Sequence, residues 1–134
     1  CSIIILDIDN FGAYNENYGY AMGEHVLLQM ANIIKDNLRK VDIIARFAGE
    51  QIAVLLPDTG RKDAAMAAEK LREKVESAVF SERKDSALLM ARLTASVGVA
   101  EYNIKNNKEQ FIQQAKEALS EAKQKGKNRV CVYR

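Results

Sequence analysis

The sequence has little of what marks secreted, metal-binding, membrane or nucleic-acid proteins. Its two cysteines, Cys1 and Cys131, are too few for a disulfide framework or a zinc site. No apolar run reaches the ~18 residues needed to span a bilayer. Twenty basic residues against 18 acidic ones leave a net charge of +2, which favours neither a nucleic acid nor a membrane as partner. We therefore expect a cytoplasmic domain with free thiols and no membrane contact within this segment.

The chain has the size of one domain, at 134 residues and 15.0 kDa. Its first nine residues, "CSIIILDID", already have the pattern of a buried strand. Free termini are usually exposed and loose, so a core strand at the very start is unusual. We expect residues 1–134 to form a single domain that is a fragment of a longer multidomain protein.

Hydrophobic periodicity predicts the element order β-α-β-β-α-β-α-β. Strands are predicted at 2–8, in a hairpin at 42–57, within 91–102 and at 128–133, with helices at 22–39, 63–79 and 107–125. Residues 9–24 are rich in Gly, Asn and Tyr and are predicted to be irregular, and residues 81–90 to be a loop with or without a short strand. This order predicts an α+β fold with a ferredoxin-like βαββαβ core, in which helices flank a central, mostly antiparallel sheet.

Acidic residues gather where this fold brings two strand ends together. Asp7 and Asp9 end the first strand, and Glu50 follows Gly49 in the turn of the hairpin. Carboxylates beside a glycine turn suit Mg²⁺, which takes oxygen ligands together with substrate phosphates. The alternative is that these acids are solvated strand ends. The only histidine, His25, has no Ser or Cys partner in a motif and is interpreted as a solvated helix residue.

Six short segments occur in a fixed order along nearly the whole chain. They are "LDIDNF", the spaced set Asn15, Gly19, Gly23 and Glu24, and then "ARFAGEQI", "LLPDT", "ASVGVA" and "EALSEAKQKGKNRV". In this order and spacing they resemble the GGDEF domain family, the diguanylate cyclases that join two GTP into cyclic di-GMP. One such motif is weak evidence, whereas six in order are specific.

The resemblance implies a metal site and a nucleotide site. The metal ligands for Mg²⁺ would be Asp7, the Ile8 carbonyl and Glu50. The residues it assigns to nucleotide binding are Asn15, Glu24, Lys123 and Lys127. The last of these replaces an arginine of the family, which keeps the charge but loses the bidentate fork.

The signature turn departs from the family pattern at two positions that matter chemically. Ala48 stands where the family has its first glycine, while Gly49 keeps the second and Glu50 the acid. Gln51 replaces the glutamate that follows, and a neutral amide is a poor Mg²⁺ ligand that cannot accept a proton at neutral pH. The resemblance therefore implies a degenerate domain that leans away from catalysis and binds GTP or cyclic di-GMP as a regulatory module.

A second site is implied by "RKVD", because Arg39 and Asp42 have the offset of the family's inhibitory cyclic di-GMP motif, R-x-x-D. An Arg fork matches guanine O6 and N7, and an Asp carboxylate accepts from guanine N–H groups. A basic residue at a helix end explains Arg39 equally well. Three alternatives stay open: this regulatory module with an upstream sensor or partner domain, an active cyclase with a variant signature, and a scaffold or homodimerisation domain that binds no nucleotide.

Overall fold

A five-stranded sheet organises the protein. The computed structural model describes residues 1–47, 49–84 and 87–134. Its elements, in chain order, are β1 Ser2–Ile8, α1 Phe11–Tyr18, α2 Tyr20–Asp36, β2 Ile43–Arg46, β3 Gln51–Leu56, α3 Arg61–Ser77, β4 Phe80–Lys84, β5 Ala87–Ala91, β6 Ala95–Glu101, α4 Lys108–Gln124 and β7 Val130–Val132. None of the helices in these ranges is long and apolar enough to cross a membrane.

The strand order of the main sheet is β2-β3-β1-β6-β7, and only the β6–β7 pair is parallel. The expected α+β fold with a mostly antiparallel sheet is confirmed. β1 is central and buried along its whole length, which explains its unbroken apolar run because both of its faces are covered. β4 and β5 form a separate two-stranded sheet.

Alternation along β1 divides the core between the two faces of the sheet. Ile4, Leu6 and Ile8 pack with apolar residues of α2 and α3. Ile3 and Ile5 pack on the opposite face with residues of α4. Helices therefore cover both faces, as the element order predicts. Asp7 follows Ile5 on the α4 face of the sheet.

Close packing of α4 on β6 depends on Gly98. A Cβ atom added at this glycine would lie 2.2 Å from the Ala115 carbonyl oxygen and 2.4 Å from the Leu119 nitrogen. Such contacts are far too short, so no larger residue fits without moving the helix. The start of α4 is fixed by a capping box, in which Asn107 and Gln110 exchange side-chain and backbone hydrogen bonds of 2.8 and 2.9 Å.

The prediction of an irregular segment at 9–24 is wrong, because α1 and the start of α2 occupy it. Phe11 and Tyr14 lie one turn apart on α1 and are both buried. Gly19, with a φ of 88°, separates the two helices. Burial of the two aromatic side chains stabilises the helix, although this Gly- and Asn-rich stretch has a weak helix propensity.

The segment predicted as a loop at 81–90 also has regular structure. β4 and β5 pair antiparallel, with Phe80 opposite Ala91, and Phe80 is fully buried in the main core. Residues 85–86 lie outside the described residues. The sequence analysis left open whether this loop contains a short strand, and the structure has two strands here.

Candidate functional site

The end of β1 meets the start of β3 at a single pair of residues. The antiparallel register sets Asp7 directly opposite Gln51. The Gln51 amide nitrogen donates to Asp7 Oδ2 at 3.4 Å, and the Lys123 ammonium forms an ion pair with the same oxygen. The Asp7 side chain is only 4% exposed. Its carboxylate is therefore compensated by one cation and by an amide donor from the strand opposite.

Asp9 belongs to a separate network. Its two carboxylate oxygens accept hydrogen bonds from Thr94 Oγ1 at 2.7 Å and Ser96 Oγ at 2.6 Å. The Asn128 backbone N–H donates to it at 3.0 Å. A buried carboxylate with three donors is satisfied where it is. Asp9 therefore joins β1, β6 and the α4–β7 turn, and its role in this structure is to hold them together.

Glu50 lies exposed in the β2–β3 turn, directly after Gly49, whose φ is 63°. It lines a cavity of about 410 Å³ together with Gln51, Lys116, Leu119, Ser120 and Lys123. Two of the predicted site residues, Glu50 and Lys123, thus share one cavity, and Asp7 contacts its rim through Gln51 and Lys123. Ala48, the altered first position of the signature, lies outside the described residues.

The donor set around this turn fits a catalytic pair of divalent ions poorly. Of the predicted ligands, Asp7 already has Lys123 as its counter-ion, and the residue opposite it presents an amide instead of a carboxylate. Within the described ranges, no group of three or more His, Cys, Asp or Glu side chains is arranged to hold a metal ion. Mg²⁺ prefers anionic oxygens in near-octahedral geometry. A weak single Mg²⁺ site at Asp7, Ile8 and Glu50 stays a prediction.

Glu24 is held by Arg46 in a two-pronged ion pair. The two guanidinium nitrogens Nη1 and Nη2 donate to the two Glu24 oxygens, each at 2.8 Å. The hydrogen bond from Arg46 lowers the pKa of Glu24. Arg46 Nε also donates to the Gly49 carbonyl at 2.8 Å. One side chain therefore links Glu24 of α2, which was predicted to bind nucleotide, to the turn that carries Glu50.

Asn15 contributes a buried oxygen that lacks a hydrogen bond. Within the described part of the chain, Asn15 Oδ1 is the buried side-chain atom without a partner. It lies so close to Gly23 that a Cβ atom there would be 1.8 Å away. An unsatisfied buried acceptor costs about 1–3 kcal/mol, so a donor that reached this amide would relieve that penalty.

Lys127 lies at the end of β1, as Lys123 does. Its ammonium donates to Asn10 Oδ1 at 2.6 Å. Its backbone and that of Asn128 are left-handed, with φ values of 65° and 46°, which few residues other than glycine adopt. The hydrogen bond from Asn128 to Asp9 fixes this turn. The fold therefore brings two lysines that were predicted to bind nucleotide to the end of one strand.

Arg39 and Asp42 contact each other directly. Arg39 Nη2 lies 2.7 Å from Asp42 Oδ1, and the Arg39 backbone N–H donates to Asp42 Oδ2 at 2.8 Å. The same guanidinium donates to Pro57 O and Thr59 Oγ1. The Asp42 side chain is 3% exposed, whereas that of Arg39 is 54% exposed. A guanine would have to open this pair, so the inhibitory-type site stays a prediction that now carries that cost.

Four residues outside the predicted set also shape the region: Arg46, Lys116, His25 and Asn128. His25, interpreted as a solvated helix residue, lies on α2 with its side chain 34% exposed, but it also makes contacts across the fold. Its Nδ1 lies 2.8 Å from a Glu82 carboxylate oxygen, and its Nε2 is 3.0 Å from the Ser81 carbonyl. These contacts attach the β4–β5 hairpin to α2. They join residues more than 50 positions apart, which a single sequence does not reveal.

Comparison with protein families matches residues 1–129 to the family described as "Diguanylate cyclase, GGDEF domain". Among curated proteins, diguanylate cyclase A of Treponema denticola is 38% identical over 132 residues, which is 96% of this chain and 34% of that protein. Diguanylate cyclase DosC of Escherichia coli K12 is 29% identical over 133 residues, 99% of this chain and 28% of that protein. The chain thus spans about a third of the length of these relatives.

Solved structures show the same fold. The GGDEF domain of DgcB from Caulobacter crescentus, in complex with c-di-GMP, superposes with a TM-score of 0.90 at 28% identity, covering 98% of this chain and 77% of that one. The diguanylate cyclase SiaD of Pseudomonas aeruginosa, in complex with its activator SiaC, gives a TM-score of 0.87 at 32% identity. That match covers 98% of this chain and 49% of SiaD.

Proposed function

The chain belongs to the GGDEF domain family of diguanylate cyclases, and on that premise we propose that it binds guanine nucleotide beside the β2–β3 turn without converting GTP to cyclic di-GMP. It acts as a regulatory module in cyclic di-GMP signalling. The observation that carries this proposal is the hydrogen bond from Gln51 to Asp7. At the position where cyclase chemistry needs an anionic oxygen, this chain has a neutral amide that donates to the neighbouring carboxylate.

The absence of a carboxylate at position 51 matters most for the chemical step. Joining two GTP molecules requires a 3′-hydroxyl to lose its proton and attack a phosphate, with developing charge stabilised by metal ions and anionic ligands. Gln51 supplies neither charge nor basicity, and Asp7 is already paired with Lys123. Removing one such group commonly reduces the rate a hundredfold or more.

Binding, in contrast, relies on groups that this chain keeps. Lys123 and Lys127 lie at the end of β1 and offer ammonium groups to phosphate oxygens. Glu24 offers a carboxylate, which is the group that accepts guanine N1–H and N2–H₂, and Asn15 has an amide oxygen with no donor among the described residues. In this structure Glu24 is paired with Arg46 and Lys127 with Asn10, and both of these partners are exposed side chains that a ligand can displace. A fold that retains these groups supports nucleotide binding without turnover.

Cyclic di-GMP is the second candidate ligand. The DgcB domain that this chain resembles was solved in complex with c-di-GMP, and Arg39 has a half-exposed side chain beside a cavity of about 300 Å³. Binding there would replace the contacts between Arg39 and Asp42 with contacts to guanine. An upstream sensor or partner domain, and a homodimer, are expectations for the whole protein.

Two measurements on the 134-residue chain test the proposal. Isothermal titration with GTP should give saturable binding. A separate titration with cyclic di-GMP tests the second candidate ligand. Chromatography after incubation with GTP and Mg²⁺ or Mn²⁺ should find no steady formation of cyclic di-GMP, even at high protein concentration. Steady turnover would identify an active cyclase with a variant signature. Binding of neither nucleotide would identify a scaffold domain.

A further inference from the structure

We infer that the cavity beside the β2–β3 turn holds the phosphates of a nucleotide with lysine side chains, Lys116 and Lys123, in place of a divalent metal ion. The inference rests on the proposed binding of guanine nucleotide and specifies how its phosphates are held. Lys116 is the residue that carries it, since neither the resemblance nor the signature turn assigns it a role.

The cavity has polar groups on one face of a helix and the turn opposite. Lys116, Ser120 and Lys123 are spaced four and three residues apart on α4, which places them on a single face. Glu50 and Gln51 line the other side. The volume of about 410 Å³ falls within the range of roughly 300–1,000 Å³ that small-molecule sites occupy.

Lys116 brings a positive charge to this cavity, and no carboxylate among the described residues neutralises it. Its ammonium lies 4.9 Å from the centroid of the Phe47 ring, and its side chain is half-buried. Within the described ranges it has no carboxylate at ion-pair distance. A cation over an aromatic face keeps its N–H donors available. Lys116 is therefore fixed by Phe47 and free to donate to an anion.

The charge balance explains why a metal is not needed. The charged groups that line the cavity are Lys116, Lys123 and Glu50, and Asp7 lies at its rim in contact with Lys123. A glutamate at position 51 would add a third carboxylate, and phosphates could then approach only with a divalent ion to screen the repulsion. With Gln51 in that place the set is neutral. A phosphate can compete with Asp7 for Lys123 and take Lys116 as a second donor.

The test is titration calorimetry of the 134-residue chain with GTP, once with excess EDTA and once with Mg²⁺. We expect affinities that agree within about threefold. Lys116→Gln should weaken binding about tenfold or more under both conditions, the loss of one charge-assisted contact, and Lys116→Arg should restore most of it. Lys108→Gln, at the exposed first residue of the same helix, is the control and should bind as the native chain does. Inorganic triphosphate should compete with GTP in EDTA.

The outcomes separate the two proposals. GTP binding that appears only with Mg²⁺, or that Lys116→Gln leaves unchanged, overturns the metal-independent site and leaves nucleotide binding intact. No GTP binding under either condition overturns both. Thermal melts of each variant show that it is folded, and the comparison of EDTA with Mg²⁺ on the native chain decides the question even if Lys116→Gln does not fold.

Discussion

Restoring the missing carboxylate should make this domain less stable without metal and sensitive to Mg²⁺. In Gln51→Glu, a hydrogen bond to Asp7 is replaced by repulsion between two carboxylates. The present Gln51 nitrogen lies 3.4 Å from Asp7 Oδ2. Two unit charges at that distance repel by about 5 kcal/mol at an effective dielectric constant of about 20. Lys123 offsets part of this and side-chain rotation relieves more, so we expect a net loss of about 1–2 kcal/mol.

Thermal unfolding measures this loss. For a domain of this size, about 1–2 kcal/mol corresponds to a Tm lower by about 3–8 °C. In EDTA, Gln51→Glu should melt that far below the native chain. Added Mg²⁺ should raise the Tm of the variant, since the two facing carboxylates become ligands, and a ligand at a hundred times its Kd contributes about 2.7 kcal/mol. The Tm of the native chain should change little.

The control is Gln113→Glu, the same chemical change on an exposed position of α4, which should shift the Tm by little and without regard to Mg²⁺. Two results would contradict the reasoning. The first is that Mg²⁺ raises the Tm of the native chain as much as that of the variant, because the native site would then already bind the ion. The second is a variant as stable as the native chain in EDTA, because position 51 would then not face Asp7.

Three further predictions concern the fold around the site. Burial raises the pKa of Asp42, but hydrogen bonds and charge from Arg39 together bring it below its usual value. The stability from this pair should therefore be complete above about pH 4 and lost as pH falls further. Urea unfolding measured against pH should show this loss at acidic pH in the native chain and a smaller loss in Asp42→Asn. Arg39→Ala should lower stability, since it leaves the buried Asp42 carboxylate without its counter-ion. Gly98→Ala should lower the free energy of unfolding by about 1–3 kcal/mol or prevent folding, because its methyl group would meet the backbone of α4. Gly12→Ala, in open space on α1, should instead raise that free energy by up to about 1 kcal/mol. Equal shifts of the urea midpoint in the two variants would refute this contrast.

The sequence predicted the sheet and its helices because their signals are local. The apolar run of β1 and the helical periodicity of α2, α3 and α4 each extend over many residues, and the structure has all four elements. α1 escaped prediction because its composition favours turns and only two of its side chains, Phe11 and Tyr14, are buried. Their burial depends on the rest of the core, which no local pattern displays.

The site was predictable as a place but not as a set of contacts. The topology brings the end of β1 to the β2–β3 turn, as expected from the element order. The side-chain pairings could not be predicted from the sequence, because the partners of Asp7 and Glu24 come from distant parts of the chain. Lys123 is 116 residues from Asp7, and Arg46 is 22 residues from Glu24. Such pairs depend on register and on rotamers, which are decided by packing.

The structure also separates residues that the fold needs from those that it does not. Asp9 accepts three hydrogen bonds from two other elements, so its presence is explained by folding alone. Asp7 is likewise held by Lys123 and Gln51. Glu50 differs, since it is exposed and makes no hydrogen bond or ion pair with any residue that the structure describes. Folding therefore does not account for the acid at that position, whereas it does account for Asp7 and Asp9.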